Sequence, residues 1–267
     1  VTSLGLTDAI TRLTAWDFKT SIGITGVDKS APTADEIADS VATTIFYAFY
    51  TRVPYATFAD EFDNGGCIGY DVPLPSRWAI NYLLENTGTS NTGETLFDNC
   101  ETGGVITMDV LLLETLDAAL EWCESADGFD TADMDLWNWG KIHTTQWEDF
   151  FAQVAGPLGD IKGPYPIDGA DYTVDVAGSS GFRGYDEFDD PFYDFTVGSG
   201  AQVRWAVEAT PEGMQAKIVV PGGQSGHKDS VHYNDQADLY LTNQTHDVHF
   251  TLAQVNANAV RRVHFAP

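Results

Sequence analysis

Positive charge is what this sequence has least of: 13 Lys and Arg stand against 40 Asp and Glu, a formal net charge of −27 with a pI near 4.1. Such a surface repels nucleic acid and anionic lipid, which excludes both as partners. The carboxylates are scattered rather than gathered in a tail, so they read as a solvated coat suited to a salty or extracellular setting. A cationic substrate and a multi-site calcium protein are the other readings of that charge. Cysteine is scarce as well. Cys67, Cys100 and Cys123 fit no zinc framework. In an oxidising compartment one disulfide between Cys67 and Cys100 is expected, with Cys123 buried on a helix; three reduced thiols is the alternative. No apolar run approaches the roughly 18 residues a membrane span needs. There is no internal repeat and no low-complexity linker. The start at Val1, with neither an initiator Met nor a secretory leader, reads as a chain cut from something longer.

What is present is enough for a core. The 267 residues are 43% apolar and 12% aromatic, which excludes disorder. Leu6, Ile10, Leu13 and Trp16 fall at helical spacing. Thr33 and Glu36 make a capping box ahead of Ile37, Val41, Ile45, Phe46 and Phe49, and Pro54 is expected to break or kink that helix, with a second piece running to about Phe62. A helix is expected over 77–86. Thr107 caps the strongest one, with Leu112, Leu116, Ala119, Leu120 and Cys123 on one face, and a short amphipathic piece is expected over 146–155. From Tyr165 the period turns to two. Tyr172, Val174 and Val176 alternate with polar residues, as do Val203 to Ala209 and Met214 to Val220, joined by a tight turn at 210–213. Each of these strands should bury one face. The chain thus reads as α+β, a mainly helical portion over 1–155 and a strand-rich portion over 156–267.

Several constellations can be weighed for chemistry. Asp127, Asp130, Asp133 and Asp135 offer oxygens for a structural Ca2+, but without the EF-hand glycine and glutamate. The six histidines do not make a zinc site: His246 and His249, three apart on a strand, point to opposite faces. Ser225 in Gly222-Gly223-Gln224-Ser225-Gly226 sits one place late for a nucleophile elbow, and no helix follows. The loop 181–195, rich in acids and aromatics, suits either a flat ligand or a partner chain. The densest polar stretch, Val219 to Phe250, is a fixed hydrogen-bond network in which Gln224, Ser225, His232, Tyr233 and Asp235 lock a glycine-rich backbone path. His143 reads as a hydrogen-bonded structural histidine.

Five motifs in order resemble the penicillin acylase (penicillin amidase) family. They are Leu13 to Asp17 with the following helix Ala38 to Phe49, Trp139-Gly140-Lys141-Ile142-His143, Gly169 to Ala177, Pro221 to Gly226, and His232 to Gln236. The resemblance implies an N-terminal-nucleophile hydrolase, an αββα sandwich, of which this chain is the C-terminal part of the β chain. The nucleophile in such enzymes is the first residue of a processed chain, its own α-amine serving as base. Val1 has no hydroxyl, and no segment here matches the family's catalytic Asn and Arg. The resemblance therefore implies no catalytic residue in this chain, with the nucleophile on another chain and substrate-binding residues not assignable.

The expected function is amide hydrolysis of N-acyl compounds, such as β-lactam side chains or N-acyl homoserine lactones. The expected partners are the other chains of the same processed enzyme, and the expected location is periplasmic or extracellular. No cofactor is required beyond the Ca2+ weighed above. The stretch from Val219 to Phe250 would then buttress the sheet that carries the nucleophile. The rival reading is a non-catalytic acidic binding or surface module that keeps the fold without an active site.

Overall fold

The computed structural model describes residues 4–62, 77–86, 96–99, 104–148, 161–186, 190–259, 261, 263 and 265. Helices and strands both occur, as the α+β reading expects. In chain order the helices are α1 (Leu4–Ala15), α2 (Ala34–Phe62), α3 (Arg77–Glu85), α4 (Met108–Glu124), α5 (Trp139–Ile142), α6 (Ala237–Leu241) and α7 (Leu252–Asn258). The strands are β1 (Asp98–Asn99), β2 (Gly104–Val105), β3 (Thr144–Glu148), β4 (Ile161–Pro166), β5 (Ala177–Gly178), β6 (Gly181–Tyr185), β7 (Pro191–Asp194), β8 (Ser199–Gly200), β9 (Arg204–Thr210), β10 (Gly213–Val219) and β11 (His246–Asp247). They group into two compact units, Val1–Thr25 with Ala31–Thr144 and Pro166–Ser199, and Gly26–Ser30 with Thr145–Tyr165 and Gly200–Pro267.

In the first unit α2 is the axis. Thr33 Oγ1 accepts from the Glu36 amide while the Glu36 carboxylate accepts from the Thr33 amide, the reciprocal pair that fixes a helix start. Val41, Ile45, Tyr47 and Ala48 meet Leu116, Ala119, Trp122 and Cys123 of α4, together with Trp137, Trp139, Phe182 and Tyr193, in one core. Val53 and Phe58 enter a second cluster with Ile80, Leu83, Phe97 and Leu111. Pro54 does not break the helix: α2 runs through it to Phe62. Tertiary packing on both sides of Pro54 outweighs the lost amide. The helix also buries Thr43, Thr44, Thr51 and Thr57, each hydroxyl donating to the carbonyl four residues back, so no buried hydroxyl is left without an acceptor. In α4 the Thr107 hydroxyl accepts from the Val110 amide, and Cys123 is fully buried, both as expected. Cys67 and Cys100 lie outside the described residues.

Three expectations are corrected here. Residues 172–176 are not a strand. Gly169 takes φ +81° and Tyr172 φ +62°, and the Thr173 hydroxyl accepts from the Ala170 amide and lies 2.7 Å from the Asp175 carbonyl oxygen, to which it donates, closing a tight loop in place of an extended run. The described parts of the 181–195 segment, 181–186 and 190–195, are not a surface loop. β6 and β7 pair antiparallel, Phe182 opposite Tyr193, and those rings with Phe195 turn inward onto α2 and α4. The described start of the 146–155 piece belongs to strand β3 rather than to an isolated amphipathic element.

In the second unit β9 and β10 form the hairpin the sequence predicts, Thr210 opposite Gly213 and Trp205 opposite Ile218, with β11 on the far edge of β10. The expectation that β9 buries one face is overturned. Val203, Trp205 and Val207 are exposed, Trp205 to 69%, together with Met214 of β10. The alternation is real, but no described element covers that face. Among the described residues no helix is long and apolar enough to cross a membrane.

Candidate functional site

Two sequence motifs far apart in the chain meet at one node of the first unit. α5 carries Trp139 and is followed by His143. The Trp139 amide donates to the Ser40 hydroxyl at 2.7 Å and its indole N–H to the Gly169 carbonyl at 3.0 Å. The Ser40 hydroxyl donates in turn to the Ile22 carbonyl, which also accepts from the Gly140 amide. Gly140 is required by this approach, since a Cβ there would stand 2.8 Å from Ile22 Cβ. The His143 ring stacks on Trp139, with Nδ1 2.8 Å from the Ile167 carbonyl oxygen and Nε2 2.9 Å from that of Ala177. Burial pushes the imidazole pKa down, against the two carbonyls and the charges of Asp168 and Asp171, which pull it up. The Trp139 amide and indole N–H, the Ser40 hydroxyl and both His143 ring nitrogens all lie against protein groups, so the node can hold the loop from Ile167 to Ala177 in place.

The glycine-rich stretch forms a second node, in the other unit. Ser225 donates its amide to the His232 carbonyl, and its hydroxyl accepts from the His227 amide. Gly223 lies so close to His232 that a Cβ would stand 2.3 Å from the His232 oxygen. His232 Nδ1 pairs with Asp235 at 2.7 Å on the surface. Tyr233 donates its amide to the Ser230 carbonyl and stacks beneath the ammonium of Lys162, and Gln224 is exposed. The most buried member is one the sequence reading passed over. Gln236 donates its amide to the Gly222 carbonyl, and its side-chain oxygen accepts from the Val220 amide at 3.1 Å and faces His246 Nε2 at 3.2 Å. Its position, last in the polar run and just before the apolar α6, is the signal that could have found it.

A third feature lies beside α2. Arg52 is buried, with 9% of its surface exposed, inside a helix whose neighbours are apolar or hydroxylic. Its guanidinium donates to the Tyr185 hydroxyl at 2.5 Å and, at longer range, to the Ala118 carbonyl and the Tyr193 hydroxyl, and it lies over the rings of Phe182 and Tyr185. Burial pushes the Tyr193 hydroxyl pKa up. No sequence pattern marks Arg52, because its two tyrosine partners come from 133 and 141 residues away.

No nucleophile emerges among the described residues. The Cys123 thiol is fully buried and its pKa is pushed up by desolvation, the reverse of an activated thiolate. Ser225 has only backbone at its hydroxyl. The acidic cluster does not converge either. Asp133 caps a short helical turn, Asp135 pairs with Arg12 at 2.8 Å, and among the described residues no three His, Cys, Asp or Glu are placed to hold a metal ion.

Comparison with known proteins gives the family. The acyl-homoserine lactone acylase QuiP of Pseudomonas aeruginosa is 31% identical over 144 residues, 49% of this chain and 15% of QuiP. A thermostable penicillin G acylase from Alcaligenes faecalis superposes over 98% of this chain and 43% of its own, with a TM-score of 0.48 and 14% identity. This chain thus spans less than half the length of either protein. The family model described as penicillin amidase matches residues 2–257, nearly the whole sequence, and the chain belongs to that family.

Proposed function

We propose that this chain is a C-terminal β-chain segment of an amidohydrolase that cleaves the amide bond of N-acyl compounds, and that it supplies scaffold while another chain supplies the nucleophile. The observation that carries this reading is the family match over residues 2–257, in a family of amide-hydrolysing enzymes. The two nodes fit it: the bonds of Trp139, Ser40, His143, Ser225 and Gln236 all run to groups within the chain, as scaffold bonds do. An N-acyl homoserine lactone is the first substrate class to try, by analogy with QuiP, and a β-lactam side chain is the second. Other polypeptides of the same enzyme are the expected partners, in the periplasm or outside the cell.

The test joins chemistry to composition. The native protein is isolated, its chains are weighed intact and sequenced from their N-termini, and amine release from N-acyl homoserine lactones and phenylacetyl amides is measured. The expected result is hydrolysis, together with a companion chain that begins with Ser, Thr or Cys. A native protein consisting of this chain alone, folded and inert to all such amides, would overturn the reading in favour of a non-catalytic module.

A further inference from the structure

Arg52 poses a question that neither the core nor the amidohydrolase reading answers. A buried guanidinium ordinarily faces a carboxylate, because removing the charge from water is costly unless it is paired. Among the described residues no carboxylate pairs with Arg52. Its partners are a carbonyl, two phenols and two aromatic faces. Only the bond to Tyr185 is short; those to the Ala118 carbonyl and the Tyr193 hydroxyl are 3.3 and 3.5 Å. Ring faces offset part of the cost, yet a fork of donors is left with spare capacity.

That capacity faces a cavity. Arg52 and Tyr185 line a pocket of about 330 Å³ between α2 and α4, at the small end of the range of about 300–1,000 Å³ for small-molecule sites. Its walls divide by chemistry. Ile106, Leu111, Ala56 and Ala59 are apolar; Asp60, Glu114 and Thr115 are acceptors, the Thr115 hydroxyl having spent its proton on the Leu111 carbonyl. One pocket therefore presents a cation, two carboxylates and an apolar wall.

We propose that this cavity binds a small amphoteric molecule, an α-amino acid with an apolar side chain, its carboxylate on Arg52 and its ammonium toward Glu114. The charge pattern selects this class over simpler ones. A plain carboxylate would meet Arg52 but also two carboxylates and the field of a chain at −27. A plain amine would meet the buried guanidinium. A zwitterion carries no net charge against that field, and its two ends match the two signs the cavity offers. The apolar walls take the side chain. This inference does not depend on the amidohydrolase reading, since it uses no group of that chemistry.

The experiment is a calorimetric titration of the full-length protein with L-phenylalanine, phenylacetate and 2-phenylethylamine, which share a ring and differ in charge. Phenylalanine is expected to bind, and each of the other two at least about tenfold more weakly, since each loses one charged contact worth about 1.4 kcal/mol or more. Arg52→Gln disturbs the core as well as the cavity, so two gentler variants carry the test. Ala59→Leu fills the cavity without touching Arg52, and Glu114→Gln changes an exposed residue. Both should keep the wild-type melting temperature and weaken phenylalanine binding, Ala59→Leu abolishing it. No heat with phenylalanine, equal binding of phenylacetate, or binding unchanged in Ala59→Leu would each overturn the proposal.

Discussion

The imidazole of His143 lies flat on the indole of Trp139, ring centroids 4.4 Å apart and planes 15° from parallel. Held that way, both its nitrogens point at carbonyl oxygens, of Ile167 and Ala177. A neutral imidazole has one N–H and can donate to only one of them, whereas an imidazolium donates to both but must be buried as a charge. Desolvation is the larger of the opposing effects and moves the pKa down from its ordinary value of 6.5.

The pH dependence follows from that direction. The unfolded chain protonates His143 near pH 6.5, and the folded chain only at lower pH. Between those points the unfolded state holds more protons, so this contribution to stability is full above about pH 6.5 and is lost as pH falls through the folded value. Urea unfolding from pH 5 to 8 should show wild-type stability rising with pH relative to His143→Gln, which cannot titrate. The variant should be less stable by about 1–3 kcal/mol at pH 8, the cost of leaving a buried hydrogen-bonding group without its partner. Parallel profiles for the two proteins would mean that His143 keeps its ordinary pKa.

Thr51 gives a second test, because its hydroxyl serves another element. It donates to the Tyr47 carbonyl and accepts from the Phe182 amide at 3.0 Å, tying β6 to α2 beside Gly181, where a Cβ would stand 2.4 Å from Thr51 Cγ2. Thr51→Val keeps the shape and orphans that buried amide, at about 1–3 kcal/mol. Thr44→Val and Thr57→Val remove hydroxyls that serve only their own helix and should cost less than about 1 kcal/mol. Equal losses at all three sites, read from urea midpoints, would show that the Phe182 bond contributes nothing.

These residues also show where sequence pattern stops informing. Signals that act within four residues were legible: the Thr33–Glu36 capping box, the Thr107 cap and the turn between β9 and β10 all form as their residue types require. Tyr172 to Val176 has the alternation of a strand and is a closed loop, because the Thr173 hydroxyl competes for the backbone and Gly169 redirects it. The resemblance found the motif around Trp139 and the one after Gly169, but only the fold shows that they touch. Arg52 is the extreme case. A basic residue in an apolar helix has no pattern to belong to until Tyr185 and Tyr193 arrive from far along the chain.

Gln236 and His232 separate burial from conspicuousness. Gln236 is buried and joins the end of β10 to the chain before α6, while His232 is mostly exposed in a surface pair with Asp235. A surface ion pair is worth about 0–1 kcal/mol, and a buried acceptor lost from a backbone amide about 1–3 kcal/mol. Gln236→Leu should therefore lower stability well beyond His232→Ala, and hydrogen exchange at the Val220 amide should quicken in the first variant alone. The reverse order would return His232 to the centre of the network.

The β9–β10 hairpin leads to the last expectation. Cross-strand partners share a face, so Trp205 with Ile218, Val207 with Ala216 and Ala209 with Met214 make one apolar surface. Trp205, Val207 and Met214 are exposed on it, and α7 adds Leu252 and Val255 to the exposed apolar residues of this unit. A net charge of −27 disfavours self-association at long range, but salt screens that repulsion to about 8 Å at physiological ionic strength, and an apolar contact operates inside it. The isolated chain should thus associate with itself more as salt rises, the opposite of charge-driven assembly. Light scattering of the isolated chain from low to high NaCl should show its mass increasing, and Trp205→Lys with Met214→Glu should hold it monomeric. A chain that stays monomeric at all salt concentrations, with its tryptophan emission already that of a buried indole, would mean that the hairpin face is covered from within.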